Sequence, residues 1–369
     1  MKIIVLMGGP RAGVEFFQSL LDGHKQVLQF PGILYINEDL LSILSTKSKK
    51  NLATKFIKKY SQFFNSKNTY IERHNILGVN KNKSYKLNKK LFIKRFLKFT
   101  KQKKKFGNDL FQNLYYLHKA YNFHVKEKSE KIIVINAHIL PYVNNFDLYF
   151  KNTNYEIIHS IRHPFSAISS TMKNWLKYKN GYIFTPKELY YNLETTFFGI
   201  QNLLNLKKKV SILQLENLHT NYKAVLKKFC KTYKLNYAST LEKSTFHKLK
   251  WWGDRISGKD LNGINKNFKI NYDLKYFSNR DLNFFNKLFD KKFYKYAYYK
   301  IPDQKYYYHF FPLKCELITW VNTIKNKRLK HILSIPYYYL KRIFCFNILP
   351  VKDLKLPNSI GLKKKQIFK

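Results

Sequence analysis

Three glycines, Gly8, Gly9 and Gly13, stand between an apolar run and a helix-forming run in IIVLMGGPRAGVEFFQSLLDGH. Glycines there let the backbone turn tightly and aim amides at an anion, and the dipole of the following helix adds to the attraction. That chemistry is phosphate binding. Gly8 and Gly13 have Walker-loop spacing, but a Walker loop continues with Lys-Ser/Thr for the terminal phosphates and Mg²⁺. Val14 and Glu15 occupy those positions, so Mg·ATP chemistry does not fit, and the one cation of the loop is Arg11, within it.

A second cluster lies far downstream, in IIHSIRHPFSAISS. An arginine at a strand end, here Arg162, can fork onto a phosphate, while a hydroxyl one to two turns into the next helix, here Ser170, adds a donor. A third candidate is His138 in NAHILP. A histidine titrating near neutrality at a strand's carboxyl end suits general-base work, and it equally suits capping a helix at Pro141. Both readings stand at this level. No Cys/His spacing suggests a metal site, and Cys230, Cys315 and Cys345 are too scattered for a disulfide framework.

In this order, the first two segments resemble the sulfotransferase superfamily that uses 3′-phosphoadenosine 5′-phosphosulfate (PAPS), in its bacterial and protein-tyrosine branches. PRAGVEFFQSLLDGHK is similar to the family's phosphosulfate loop, and RHPFSAISS to its RxPxxxxxS element. The resemblance assigns Arg11, Ala12, Gly13, Val14, Glu15 and Phe16 to the 5′-phosphosulfate, with Arg11 also a catalytic residue. It assigns Arg162 and Ser170 to the 3′-phosphate. QLENLHTNY resembles the family's YEDL segment, with Glu216 retained and Leu215 in place of Tyr. WWGDRISGKDLNG resembles the late loop over the nucleotide, which would bring Arg255 and Lys259 to the 3′-phosphate. His138 falls where one branch has its catalytic base; Glu38 is the first carboxylate after the LLDGH segment, and His159 and His163 flank Arg162. The implied reaction is transfer of a sulfuryl group from PAPS, without metal, to a hydroxyl acceptor such as a glycan or glycolipid. Two hydroxyls of the family's loop are replaced by Val14 and Glu15, which keeps open a second reading, a non-catalytic relative that binds an anionic nucleotide or glycan.

The elements that position these residues follow from periodicity. Apolar runs at Ile3–Met7, Lys131–Asn136, Tyr155–Ile161 and Val210–Leu215 read as strands, alternating with helices over Ala12–Leu21, from Pro141, over Phe165–Tyr178, over Pro186–Leu206 and near Tyr222–Tyr233. Such alternation predicts an α/β, phosphate-loop-like, three-layer fold: a central parallel sheet with helices on both faces and ligands at the strands' carboxyl ends. The expected organisation is one domain over 1–300 with a helical insertion at about 37–130, then a basic aromatic extension over 301–369. Within the insertion, Lys81–Phe106 interleaves apolar and basic residues, as does a helix packing one stripe inward or one lying on an acidic surface. The stretch after Ser244 through Phe268 reads as loop, and Pro336 and Pro350 are expected to break any long helix in the extension.

Composition sets the outer bounds. The chain has 369 residues, 45% hydrophobic and 17% aromatic, enough for a sizeable core. A formal charge of +47 attracts anions, though Lys on solvated surfaces produces the same figure. No nucleic-acid motif accompanies it, so no sequence-specific nucleic acid is expected. The opening MKIIVLMGG is too short in its apolar part for a secretory leader, and no run reaches the roughly 18 apolar residues of a membrane span. The expected setting is cytoplasmic, with HILSIPYYYLKRIF a candidate for peripheral contact with a membrane's inner face.

Overall fold

The first strand, β1 (Lys2–Gly8), is buried from Ile3 onward, as a run apolar on both faces must be. The computed structural model describes residues 1–70, 72–101, 109–126, 128–176, 184–193, 208–255, 260–288, 310–326, 329–344 and 367–368. After β1 come α1 (Val14–Leu20), β2 (Val27–Gln29), α2 (Glu38–Leu44), α3 (Lys49–Lys59), α4 (Ser61–Phe64), α5 (Lys89–Thr100) and α6 (Leu110–Tyr121). Then follow β3 (Ile132–His138), α7 (Leu140–Tyr149), β4 (Tyr155–Ile161), α8 (Pro164–Trp175) and β5 (Lys209–Gln214). The strands lie side by side in the order β2-β3-β1-β4-β5, with a two-residue strand Ile367–Phe368 on the β5 edge. Every pairing in this sheet is parallel.

Successive side chains of a strand face opposite ways, and β1 shows what each face meets. Ile3, Val5 and Met7 join a core with the insertion helices and α7, through Phe56, Phe92, Leu117 and Phe146. Ile4 and Leu6 join the opposite core, with Phe17 and Leu20 of α1 and Val225 and Phe229 of the helix Tyr222–Tyr233. The chain therefore has the expected α/β three-layer plan. Between the two readings of Lys81–Phe106, packing holds: α5 buries Phe92, Phe96 and Thr100 and leaves Lys89, Lys90, Lys94 and Lys98 outside.

Several expectations are corrected. The first helix opens at Val14 rather than Ala12, because Gly13 stands at φ 79° in the left-handed region. Strand β2 has no counterpart among the expected strands, since three residues carry no periodicity. A hairpin pairs Thr245–Phe246 with Leu249–Lys250 through His247 and Lys248, both at positive φ. Pro336 does not break its helix, which runs Leu329–Ile343 through it. The C-terminal end of that helix is anchored instead, by Arg342 forked onto Glu316. The helix from Pro186 is present over 186–193; its continuation to Leu206, the boundary at 300–301, and Pro350 lie outside the described residues. Leu313 and Cys315 share a core with Phe165, Ile168 and Met172 of α8.

Candidate functional site

The loop from Gly8 to Gly13 joins β1 to α1 at the carboxyl edge of the sheet, and its glycines are there for space. A Cβ on Gly8 would stand 2.6 Å from Val14 Cγ2 and 2.8 Å from the Ser160 carbonyl oxygen, and one on Gly13 would stand 2.5 Å from Leu215 Cδ1. Leu215, where the resembled motif has Tyr, thus packs directly on the loop. Two hydrogen bonds fix the turn: Ser160 Oγ donates to Ala12 O at 2.7 Å, and Ala12 N–H donates to Gly9 O at 3.2 Å. The side chains of Ala12, Val14 and Phe16 are buried, so what they offer a ligand is backbone, and the Ala12 amide is already engaged. The first-turn amides of α1 have no carbonyl one turn behind them within the helix.

Arg11, at φ 62°, is the hub. Its Nε lies 3.5 Å from Ser170 Oγ, and its Nη1 meets Asp254 Oδ2 at 3.0 Å. Asn174 Nδ2 donates to the same Ser170 hydroxyl at 3.2 Å. Loop, α8 and the WWGD segment therefore converge on one guanidinium. Arg255 is exposed, and its neighbour Asp254 is the residue of that segment that reaches the loop. Lys259 lies outside the described residues. The WWGD segment is clamped from behind: Trp251 Nε1 donates to Glu72 O at 2.6 Å, and Arg73 pairs with Asp260 at 2.8 Å.

His138 sits next to this hub by way of a bulge. Leu6 pairs with Asn136 and Met7 with His138, so Ala137 is the extra residue that re-aims the strand end. The His138 Nδ1 stands 2.8 Å from Glu15 Oε1, an ion pair bent away from the ideal N–H direction. Helix α7 has Ile139 at its N-cap with no side-chain cap, so the capping role for His138 is set aside. Burial disfavours the imidazolium, but the adjacent Glu15 carboxylate outweighs it and the His138 pKa is raised. Burial pushes the Glu15 carboxyl the other way, yet His138, and after it Arg11, hold its pKa below the ordinary value. Glu15 faces the site, as an inward carboxylate, and its charge is balanced there.

A second, drier group surrounds Arg162. The His219 ring is sandwiched between Phe16 (centroids 4.5 Å apart) and Phe268 (4.7 Å), and Arg162 lies 5.8 Å over Phe268. Burial first, and the Arg162 charge second, lower the pKa of both His163 and His219 to about 4. Both are neutral at pH 7, so Arg162 is the cation of this group. Burial alone takes His159, inside β4, to about 3. Glu216 accepts the His163 backbone N–H at 2.9 Å, holding the start of α8 beside the end of β4. Glu38 is exposed on α2.

Of the expected residues, Arg11, Gly13, Glu15, His138 and Ser170 come together, with Arg162 on the same edge. Sequence reading missed Asp254, Glu72, the Phe16–His219–Phe268 stack and the Glu15–His138 pairing. Among these only the WWGD segment carried a signal; Glu15 and His138 meet solely because β1 and β3 end side by side. A cavity of about 180 Å³, lined by Asp22, Gln29, Tyr121, His124, His247 and Lys248 among others, shares no lining residue with this site. Among the described residues no group of three or more His, Cys, Asp or Glu could hold a metal ion.

The site is a glycine loop at the carboxyl edge of a parallel sheet. No family model and no curated protein sequence matches the chain. Two solved structures are similar to it over most of its length. One is the sulfotransferase domain from the Synechococcus PCC 7002 olefin synthase, 12% identical, covering 82% of this chain and 95% of that one, with a TM-score of 0.42. The other is the sulfotransferase domain from the curacin biosynthetic pathway, 13% identical, covering 82% of this chain and 98% of that one, with a TM-score of 0.39. At that identity and superposition neither carries weight for activity, which rests on the chain's own residues.

Proposed function

We propose that the chain is a PAPS-dependent sulfotransferase that delivers a sulfuryl group to a hydroxyl acceptor of the glycan or glycolipid class. The observation that carries the reading is the meeting of Arg11 with Ser170 at 3.5 Å, beside the Glu15–His138 pair at 2.8 Å. A phosphate loop, a strand-end phosphate element and a candidate base converge on one edge, without the lysine or hydroxyl that Mg·ATP chemistry needs.

The residues present fit the cofactor. The loop is glycine where a Cβ would strike Val14, Ser160 or Leu215, so its tight turn at the helix start is set by packing. Arg11 and Ser170 supply a cation and a hydroxyl, and Arg162, beside two neutral histidines, supplies a positive charge for a second phosphate. When bound, the cofactor supplies a sulfuryl group already activated by its phosphate leaving group. Arg11 then neutralises charge gathering at the loop, the kind of preorganised stabilisation worth the most in a partly dry site. His138 takes the acceptor hydroxyl's proton at Nε2, because Nδ1 is held by Glu15. Glu15 orients the ring and stabilises the imidazolium that forms, doing for His138 what a carboxylate does for a catalytic histidine elsewhere. The acceptor class rests on the basic, aromatic surface, which suits sugars that already bear negative charge.

Asp254 on Arg11 favours a second reading, a relative that binds an anionic nucleotide without turnover, since a carboxylate there competes with a ligand oxyanion. Calorimetry tests the common core. Adenosine 3′,5′-bisphosphate should bind far more tightly than ADP, and Arg162→Ala should abolish the preference; equal or absent binding of both nucleotides overturns the site. Transfer of labelled sulfuryl from PAPS to acceptor glycans, with adenosine 3′,5′-bisphosphate as the leaving product, lost in His138→Gln with binding intact, separates the enzyme from the silent binder.

A further inference from the structure

Among the described residues, nothing covers one face of the helix Leu329–Ile343 in the extension. Leu329, Leu333, Tyr337, Leu340 and the following Phe344 are between 50% and 68% exposed. At about 100° per residue these five fall within an arc of roughly 80°. The neighbouring helix Lys314–Lys325 repeats the arrangement with Leu317, Val321 and Ile324, exposed at 45%, 51% and 52%. The two helices pack on each other through Trp320 and Tyr339, and the Arg342–Glu316 pair fixes them together. Exposed lysines border the stripes: Lys314 and Lys325 on one helix, Lys330 on the other. Glu316 is buried, and from residue 317 to residue 352 the sequence contains no Asp or Glu.

Apolar stripes bordered by lysine, with acid excluded, match one kind of partner. We propose that this helix pair docks on an anionic lipid bilayer, lying in the plane of the headgroups with its leucine and aromatic stripe in the acyl boundary. Charge complementarity decides between occupants. A second copy would bring another chain of formal charge +47 against the same lysine-bordered face, whereas an anionic leaflet attracts both the lysines and the chain as a whole. At about 1.5 Å per residue the 15-residue helix is roughly 22 Å long, short of a bilayer core. Among the described residues no helix is long and apolar enough to cross a membrane, which suits lying on the surface. None of these residues belongs to the transferase site, so docking and transfer stand or fall separately.

The test is co-sedimentation of the full chain with vesicles of phosphatidylcholine containing phosphatidylserine, and of phosphatidylcholine alone. Charge alone would bind any cationic protein to the first, so the decisive variant is Leu333→Asn with Leu340→Asn, which keeps every charge. The control is Leu91→Asn, an exposed leucine on α5. The expected result is binding to the anionic vesicles, weakened about tenfold or more by the double variant and unchanged by the control. Thermal melting alike in all three proteins shows that the fold is kept. Binding indifferent to the double variant, or absent from anionic vesicles, overturns the proposal. So does a concentration-dependent dimer in solution that the double variant dissolves, which would give the face to a second copy.

Discussion

Two arginine–carboxylate pairs of nearly equal length do different things in this chain. Arg342 is forked onto Glu316 at 2.9 Å through two nitrogens, and the two side chains are 1% and 8% exposed. Arg11 Nη1 meets Asp254 Oδ2 at 3.0 Å, with the side chains 17% and 29% exposed. The first pair is sealed and directional, so it locks two helices together. The second is more open to solvent, so a ligand oxyanion can approach it. The two pairs have nearly the same length, and burial is what separates them.

The largest effect expected is at the sealed pair. Arg342→Ala leaves a carboxylate buried without its partner, a loss of about 3–5 kcal/mol, read as a lowered midpoint in urea. Replacing both partners, Arg342→Met with Glu316→Gln, should recover most of it; a double variant as unstable as the single would break the comparison. A different readout is affected by Arg11→Ala at the more open pair. Its melting should shift little, while affinity for adenosine 3′,5′-bisphosphate falls roughly a hundredfold, about 2.7 kcal/mol. Removing the proposed base by His138→Gln should lower turnover about 10²–10⁴-fold with binding retained. Smallest is Asp254→Asn, which frees Arg11 and should tighten the bisphosphate several-fold; weaker binding would show that Asp254 positions Arg11 rather than competing for it.

The Glu15–His138 pair sharpens the contrast through pH. The raised His138 pKa means its contribution to stability is full below the ordinary value of 6.5 and is lost as pH rises through the folded value. The lowered Glu15 pKa means its contribution is full above the ordinary 4.5 and is lost as pH falls through the folded value. The pair therefore stabilises most between those two ordinary values. Turnover should run the opposite way on the alkaline side, rising as His138 loses its proton. Melting temperatures of wild type and His138→Gln should converge as pH rises; parallel curves would mean that the ion pair contributes nothing to stability.

The loop and the strands around it were legible because each is local. Gly8, Gly13 and the run Ile3–Met7 lie within one turn of chain, and a strand buried on both faces announces itself by unbroken apolarity. Arg162 could be placed at a strand end and Ser170 inside the following helix, whereas the meeting of Ser170 with Arg11 could not be read from the sequence. What escaped is what long-range convergence makes: Asp254 beside Arg11, and Glu15 beside His138. The carboxylate of Glu15 looked like a liability in the sequence, since its partner is named only by the adjacency of β1 and β3. Pro336 misled for a related reason. Local propensity says that proline stops a helix, while the anchoring of Arg342 on Glu316 decides that this one continues.

The place of β1 in the sheet carries a consequence for how the protein is made. Both neighbours of β1 lie far along the chain: β3 ends at His138 and β4 at Ile161. At about 5–20 residues per second on the ribosome, roughly 6–26 s pass between synthesis of β1 and completion of its first partner. Throughout that interval the most apolar strand of the molecule has no mate, and its two open edges are available to any other unpaired strand. Nascent chains should therefore depend on holding chaperones until about residue 160 has emerged, and truncations short of β4 should aggregate even though they contain the whole Gly8–Gly13 loop.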